Sequence, residues 1–251
     1  MVCLSKFLKM KQYDINVDLG EGTGIESEIM PLIDSCNIAC GGHAGDFIEM
    51  NRIVALAKKN NVLLGAHPSY PDPKNFGRKS MEIETSTLFK SLSEQLLSFL
   101  NVLGSSPLHH VKPHGALYLK CINDTQTALV MIDVIESLSP NSIIYTLPNG
   151  QIDILAKERG LKVWHEAFID RRYQDSGQLV VRTDSQAIIS DKSELYNQFF
   201  HLVYNKKVQT QTGNWIYVNP KTLCIHGDHL NTLTNLKFIL KMEKNYTKKI
   251  K

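Results

Sequence analysis

Short apolar runs of strand length recur at residues 15–17, 38–40, 62–66, 109–112, 142–146, 162–166 and 222–225. Several intervals between them carry apolar residues at helical spacing instead: Met50, Ile53, Val54 and Ala57 within 49–59, and Leu88, Leu92, Leu96, Phe99 and Leu103 within 87–103. Segments 124–138, 151–159, 192–204 and 231–241 read the same way. Asp46 and Asp124 stand where each would cap the following helix, and Gly104 and Gly160 suit helix exits. Strand and helix in this alternation specify parallel strands with helical crossovers. Four polar clusters stand at the ends of strand-like runs, at 14–21 (DINVDLGE), 37–46 (NIACGGHAGD), 65–70 (GAHPSY) and 110–118 (HVKPHGALY). An open sheet gathers its site near one switch point, whereas a barrel spreads it over its C-terminal rim. The pattern therefore predicts an α/β fold of the (β/α) barrel kind, irregular or with fewer than eight units. No linker or fixed-period repeat divides the chain, so one domain over 1–251 is expected, with 1–11 and 243–251 as flexible ends.

The rim residues carry the candidate chemistry. Asn16 and Asp18 share one side of a strand by two-residue alternation, and Glu21 follows in the turn; the alternative for Asp18 and Glu21 is hydrogen bonding to loop amides around Gly20, Gly22 and Gly24. His43 stands behind Gly41 and Gly42, His67 before Pro68, His114 after Lys112 and Pro113, and His226 before Gly227 and Asp228. One strand-end histidine is commonly a satisfied packing residue; several on equivalent loops suggest acid, base or ligand duty. Lys112 ends its run where an ammonium would enter the barrel mouth, and Glu166 ends another in the same way. Arg78 and Arg171 are candidate carboxylate or phosphate clamps, a local Asp170–Arg171 ion pair being the plainer reading of the second. His109 and His110 point opposite ways, so one of them faces inward; His165, His201 and His229 read as surface or structural, and Trp164, Trp215 and Tyr217 as packing.

Composition narrows the function classes. A formal charge of +3 over 251 residues, with its one dense basic run at 241–251, gives no nucleic-acid footprint. No stretch approaches a membrane span and the N-terminus has no leader pattern, so a cytoplasmic protein without membrane partner is expected. The five cysteines lack CxxC spacing, which argues against a disulfide framework or a zinc ribbon. GEGTG lacks the Lys-Ser/Thr ending of a phosphate-binding loop.

Taken in order, DINVDLGEG, SCNIACGGHAGD, GAHPSYPD, NFGRKSM, HVKPHGALY, EAFIDRRY and CIHGD resemble the LamB/YcsF family, from about Tyr13 to about Asp228. The chain departs from that family's usual pattern at Gly42 (commonly aromatic), Ser69 (commonly Gly) and Lys79 (frequently Arg). The family comprises A subunits of prokaryotic 5-oxoprolinase, with an irregular barrel related to those of glycoside hydrolases and deacetylases. The resemblance implies conversion of 5-oxo-L-proline to L-glutamate with hydrolysis of ATP, taken as its magnesium complex, in assembly with B and C subunits. Under that reading Asp18, Glu21, His43, His67, Lys112 and His114 are the catalytic candidates, and Asn16, Arg78, Glu166, Arg171, His226 and Asp228 the substrate-binding ones. A bound metal is left open, its ligands to be drawn from Asp18, His43, His67, His114 and His226. Two other readings stay open: a metal-dependent amide hydrolase or deacetylase acting alone, and a non-catalytic substrate-binding subunit.

Overall fold

The computed structural model describes residues 13–229 and 231–249. Seven parallel strands close into a barrel: β1 (Asp14–Leu19), β2 (Ser35–Ala39), β3 (Leu63–His67), β4 (His110–Val111), β5 (Ile143–Thr146), β6 (Lys162–Phe168) and, after a short antiparallel pair β7 (Lys207–Gln209) and β8 (Trp215–Tyr217), β9 (Thr222–Cys224). β9 pairs with both β6 and β1 and so shuts the ring. Each strand of the ring falls on one of the seven apolar runs. Helices α1 (Glu26–Ile29), α2 (Phe47–Asn60), α3 (Thr85–Leu103), α4 (Gly115–Asn123), α5 (Thr125–Leu138), α6 (Gln151–Glu158) and α7 (Lys192–Phe200) occupy the connections, and α8 (Thr232–Lys249) follows β9.

Strand alternation sorts the side chains into two environments. Ile15, Val17 and Leu19 on β1 face outward into the apolar layer under the helices, where Ile53, Leu92, Phe99 and Ile135 are also fully buried. Asp14, Asn16 and Asp18 face inward, so the barrel interior is polar. Asp46 and Asp124 cap α2 and α5, accepting from the Glu49 and Thr127 backbone N–H groups at 2.8 Å each. Asp124 also accepts from the Thr127 hydroxyl at 2.6 Å. Asp124→Ala is expected to cost about 1 kcal/mol, seen as a fall of roughly 2–4 °C in melting temperature; an unchanged melting temperature would show the cap to be idle.

Three stretches depart from the sequence pattern. The 192–204 helix ends as α7 and continues through a π-helical turn, His201–Asn205. The expected flexible end falls partly within α8, which runs to Lys249 and buries Glu243 against the Tyr204 hydroxyl, so 243–249 is helical; residues 1–11, 250 and 251 lie outside the described residues. Tyr217 does not pack as expected, being 74% exposed on β8, while Trp215 lies under the Lys207 ammonium and beside His201. No helix among the described residues is long and apolar enough to cross a membrane.

Candidate active site

A ladder of hydrogen bonds climbs through the barrel interior. At its base Asp14 accepts from the Ser35 and Thr222 hydroxyls, and Thr222 in turn accepts from the Asn16 amide at 2.7 Å. Above it, Asn16 donates to Glu166 at 2.9 Å, and the Asn37 amide donates to Asn16 and Asp18 at 2.7 Å each. The His110 imidazole reaches Asn37 Oδ1 at 2.7 Å and stacks on Tyr145, which settles that His110 rather than His109 faces inward. Lys112 Nζ crowns the ladder, 2.9 Å from Glu166, 3.1 Å from Asp18 and 3.1 Å from Cys224 Sγ. Burial disfavours the ammonium, but Asp18, Cys224 and Glu166 hold its pKa well above the ordinary lysine value, so Lys112 is a fixed cation. Burial likewise pushes Asp18 upward, yet His67 and Lys112 bring it well below the usual carboxylate range.

A cluster of histidines stands on the strand ends beside Lys112. His67 Nδ1 lies 2.7 Å from the Lys112 carbonyl, and His67 Nε2 lies 3.5 Å from Asp18 Oδ2. His114 Nδ1 is 3.0 Å from His67 Nε2, while His114 Nε2 meets the Phe76 carbonyl at 2.9 Å. His43 stacks flat on His114 at 3.6 Å and turns Nε2 to Glu21 Oε1 at 3.0 Å. Burial, together with the neighbouring histidines, lowers His114 well below the ordinary value and brings His43 down to about 3. Burial, reinforced by Asp18 and Asp228, raises Glu21 well above the carboxylate range.

The loop that presents the Phe76 carbonyl depends on Gly77. Its φ is +61°, and a Cβ there would come within 2.9 Å of His43 Cβ and 3.0 Å of His114 Cδ2. Glycine thus lets the backbone lie on the two rings. Asp72 opens the preceding turn by accepting from the Asn75 backbone and side chain. Two departures from the usual family pattern meet in the same region, since a Cβ on Gly42 would fall 2.4 Å from Ser69 Oγ and 2.5 Å from Gln95 Oε1. Ser69 and Gln95, joined through the Ser69 backbone, fill the space that a side chain at 42 would take.

Over this floor opens a cavity of about 620 Å³. Asp18, His67, Lys112, His114 and His226 reach it, with Phe168, Leu179 and Val181 as its apolar wall. Five cations line it, Arg78, Lys112, Lys120, Arg171 and Arg182, against one carboxylate, Asp18. Of the other candidates, Asn16 and Glu166 lie beneath Lys112 and do not line the cavity, and Glu21 and His43 stand behind His114. Asp228 forms an ion pair with Arg78 at the rim. Arg171 lines the cavity while donating to the Val180 and Ala187 carbonyls, and no Asp170–Arg171 bridge forms. Asp170 instead accepts from the backbone N–H of His226 and holds its ring at 3.0 Å; this charge-assisted contact outweighs burial and depresses the carboxyl pKa. His229, read as surface or structural, also approaches Asp170, at 3.6 Å.

Asn37, His110 and Arg182 were not among the sequence candidates. Asn37 carried a usable signal, because Ser35 and Asn37 alternate with Cys36 and Ile38 as Asn16 and Asp18 alternate with Val17 and Leu19. Arg182 carried none; it lies in an irregular stretch between β6 and α7 and has no ion-pair partner among the described residues.

Comparison with known proteins agrees with this picture. The LamB/YcsF family model matches residues 13–251. The A subunit of 5-oxoprolinase from Pyrococcus abyssi is 40% identical over 237 residues, covering 91% of this chain and 92% of that protein. A crystal structure described as a lactam utilization protein from Thermus thermophilus superposes with a TM-score of 0.86 at 34% identity, over 94% of this chain and 98% of that one. A GH113 β-1,4-mannanase matches with a TM-score of 0.50 at 9% identity, over 85% of this chain and 88% of that one, a likeness of fold alone and in line with the glycoside hydrolase type of barrel. Full-length similarity, together with motifs that the fold draws to one rim, places the chain plainly: it belongs to the LamB/YcsF family.

Proposed function

We propose that this chain is the A subunit of a 5-oxoprolinase and opens 5-oxoproline to L-glutamate, with ATP hydrolysed to ADP and phosphate, together with B and C subunits. The observation that carries the reading is the charge of the cavity. Its five cations face one carboxylate, which suits an anionic substrate and an anionic phosphoryl group. The family relationship supplies the identity of that anion.

The chemistry accounts for the residue types. A five-membered lactam is resonance-stabilised, so its amide carbon resists water. Phosphorylation of the amide oxygen by ATP gives ADP and an imidate phosphate that one water attacks; the C–N bond then breaks as the nitrogen takes a proton, and a second water hydrolyses the resulting glutamyl phosphate to glutamate and phosphate. Lys112, fixed and desolvated, faces the oxygen on which charge develops. Asp18 orients water, with Glu21 behind it, and His67 and His114 form the floor against which that water is held. His43, turned to Glu21, supports that carboxylate from behind. His226, braced by Asp170, and the rim arginines Arg78 and Arg182 receive the substrate's anionic groups.

Glutamate release from 5-oxoproline tests the proposal, with this chain alone and mixed with B and C subunits, each with and without Mg-ATP. Release only in the complete mixture with ATP is expected. Release by this chain alone without ATP would replace the reading by an independent amide hydrolase, and no release in any mixture would remove the oxoprolinase reading.

A further inference from the structure

The histidine hydrogen bonds leave an imbalance on the cavity floor. A carbonyl oxygen only accepts, so His67 Nδ1 and His114 Nε2 carry hydrogens toward the Lys112 and Phe76 carbonyls. A neutral imidazole has one N–H. With both rings neutral, His67 Nε2 and His114 Nδ1 are two acceptors facing each other across 3.0 Å, a contact that an ion between them would relieve. Asp18 Oδ2 stands 3.5 Å from the first and Glu21 Oε1 3.5 Å from the second, so four atoms of the kinds that ligate metals converge. All four lie within 4.8 Å of one another.

Ligand atoms about 2.1 Å from a common ion stand roughly 3.0 Å apart at a right angle and about 3.4 Å apart at a tetrahedral one. Three of the six separations, at 3.0, 3.5 and 3.5 Å, fall at that spacing, and the remaining three lie within 4.8 Å. Backbone carbonyls on the far nitrogens are the supports by which metal-binding histidines are held in one tautomer, and His43 does the same for Glu21. We propose that Asp18, Glu21, His67 and His114 hold one divalent transition metal ion, of the Zn²⁺ or Mn²⁺ class, at the floor of the cavity.

Two histidines with two carboxylates suit these ions better than Mg²⁺, which prefers oxygen alone. Asp18, His67 and His114 all reach the cavity, so an ion among them would meet the substrate directly. His43 touches the cluster through Glu21, and His226 falls in a different grouping, with Asp18 and Cys224, outside these four atoms.

The test uses the whole chain without substrate. After chelator treatment, Zn²⁺ and Mn²⁺ are titrated separately by calorimetry, and metal retained after desalting is counted by mass spectrometry. One ion per chain is expected, with affinity lowered at least about tenfold in His67→Gln and in His114→Gln. Because these histidines are buried, wild-type crystals soaked in Mn²⁺ or Zn²⁺ decide the matter should the variants misfold: an anomalous peak among the four side chains supports the site. Absence of binding by the wild type, a peak at Asp170, His226 and His229 instead, or unchanged affinity in folded variants would overturn it. The oxoprolinase reading stands or falls separately, since an ion bound in a chain that releases no glutamate would leave this site in place.

Discussion

Lys112→Met is expected to lower turnover of the assembled enzyme by about 10²- to 10³-fold, the loss typical of removing one preorganised group that stabilises transition-state charge. Met nearly matches the shape of Lys, so the substitution isolates the ammonium. That ammonium is buried, and its removal leaves Glu166 and Asp18 facing each other without their shared cation. Breaking a buried pair in this way costs roughly 3–5 kcal/mol. Both effects should therefore appear together, and circular dichroism should set an assay temperature at which the variant is still folded. A folded variant with wild-type turnover would remove Lys112 from the chemistry and leave it only the role of holding the barrel interior together.

The second large effect is structural. Gly65→Ala should destabilise the chain by about 3 kcal/mol or more, the upper end for overpacking. A Cβ at Gly65 would stand 2.0 Å from His110 Nε2, 2.3 Å from Cε1 and 2.4 Å from Cδ2. The ring cannot swing aside, for it is stacked on Tyr145 at 3.9 Å and bonded to Asn37 at 2.7 Å. The backbone cannot yield either, because β3 is paired on both sides in a closed ring. Adding His110→Ala opens the space, so the double variant should be more stable in urea than Gly65→Ala alone. This rescue is non-additive, as expected of residues in contact. Wild-type stability in Gly65→Ala would show that the interior is looser than the geometry states.

Gly65 also marks where sequence reading stops. In the sequence it is a glycine inside a strand, which only hints at close approach; the ring it makes room for comes from His110, and only the parallel pairing of β3 with β4, across the α3 crossover, brings the two together. The strands themselves were legible, since every one of the seven runs became a barrel strand. Their outward faces must be apolar to meet the helices, and that need is written locally. The α4 helix was not legible: Gly115–Asn123 follows β4 after only a short turn, without a capping side chain at His114. The β7–β8 pair was equally hidden, with Trp215 and Tyr217 attributed to packing while much of their surface faces outward.

For the site, the sequence by itself determined the residue types and the strand ends that carry them: Asp18, His67, Lys112 and His114 stand on equivalent loops because parallel strands deliver their C-terminal ends to one rim. Tertiary structure decided the partnerships. Barrel register placed Asn16 and Glu166 beneath Lys112 and turned His226 to Asp170, 56 residues away in the chain. It also brought both Glu21 and His43 against His114, the one at its Nδ1 and the other on its ring face, and put Arg182 on the cavity wall. Alternation and turn chemistry act over a few residues and can be read along the chain. Distances across a barrel depend on the stagger with which all seven strands close, a property of no single segment.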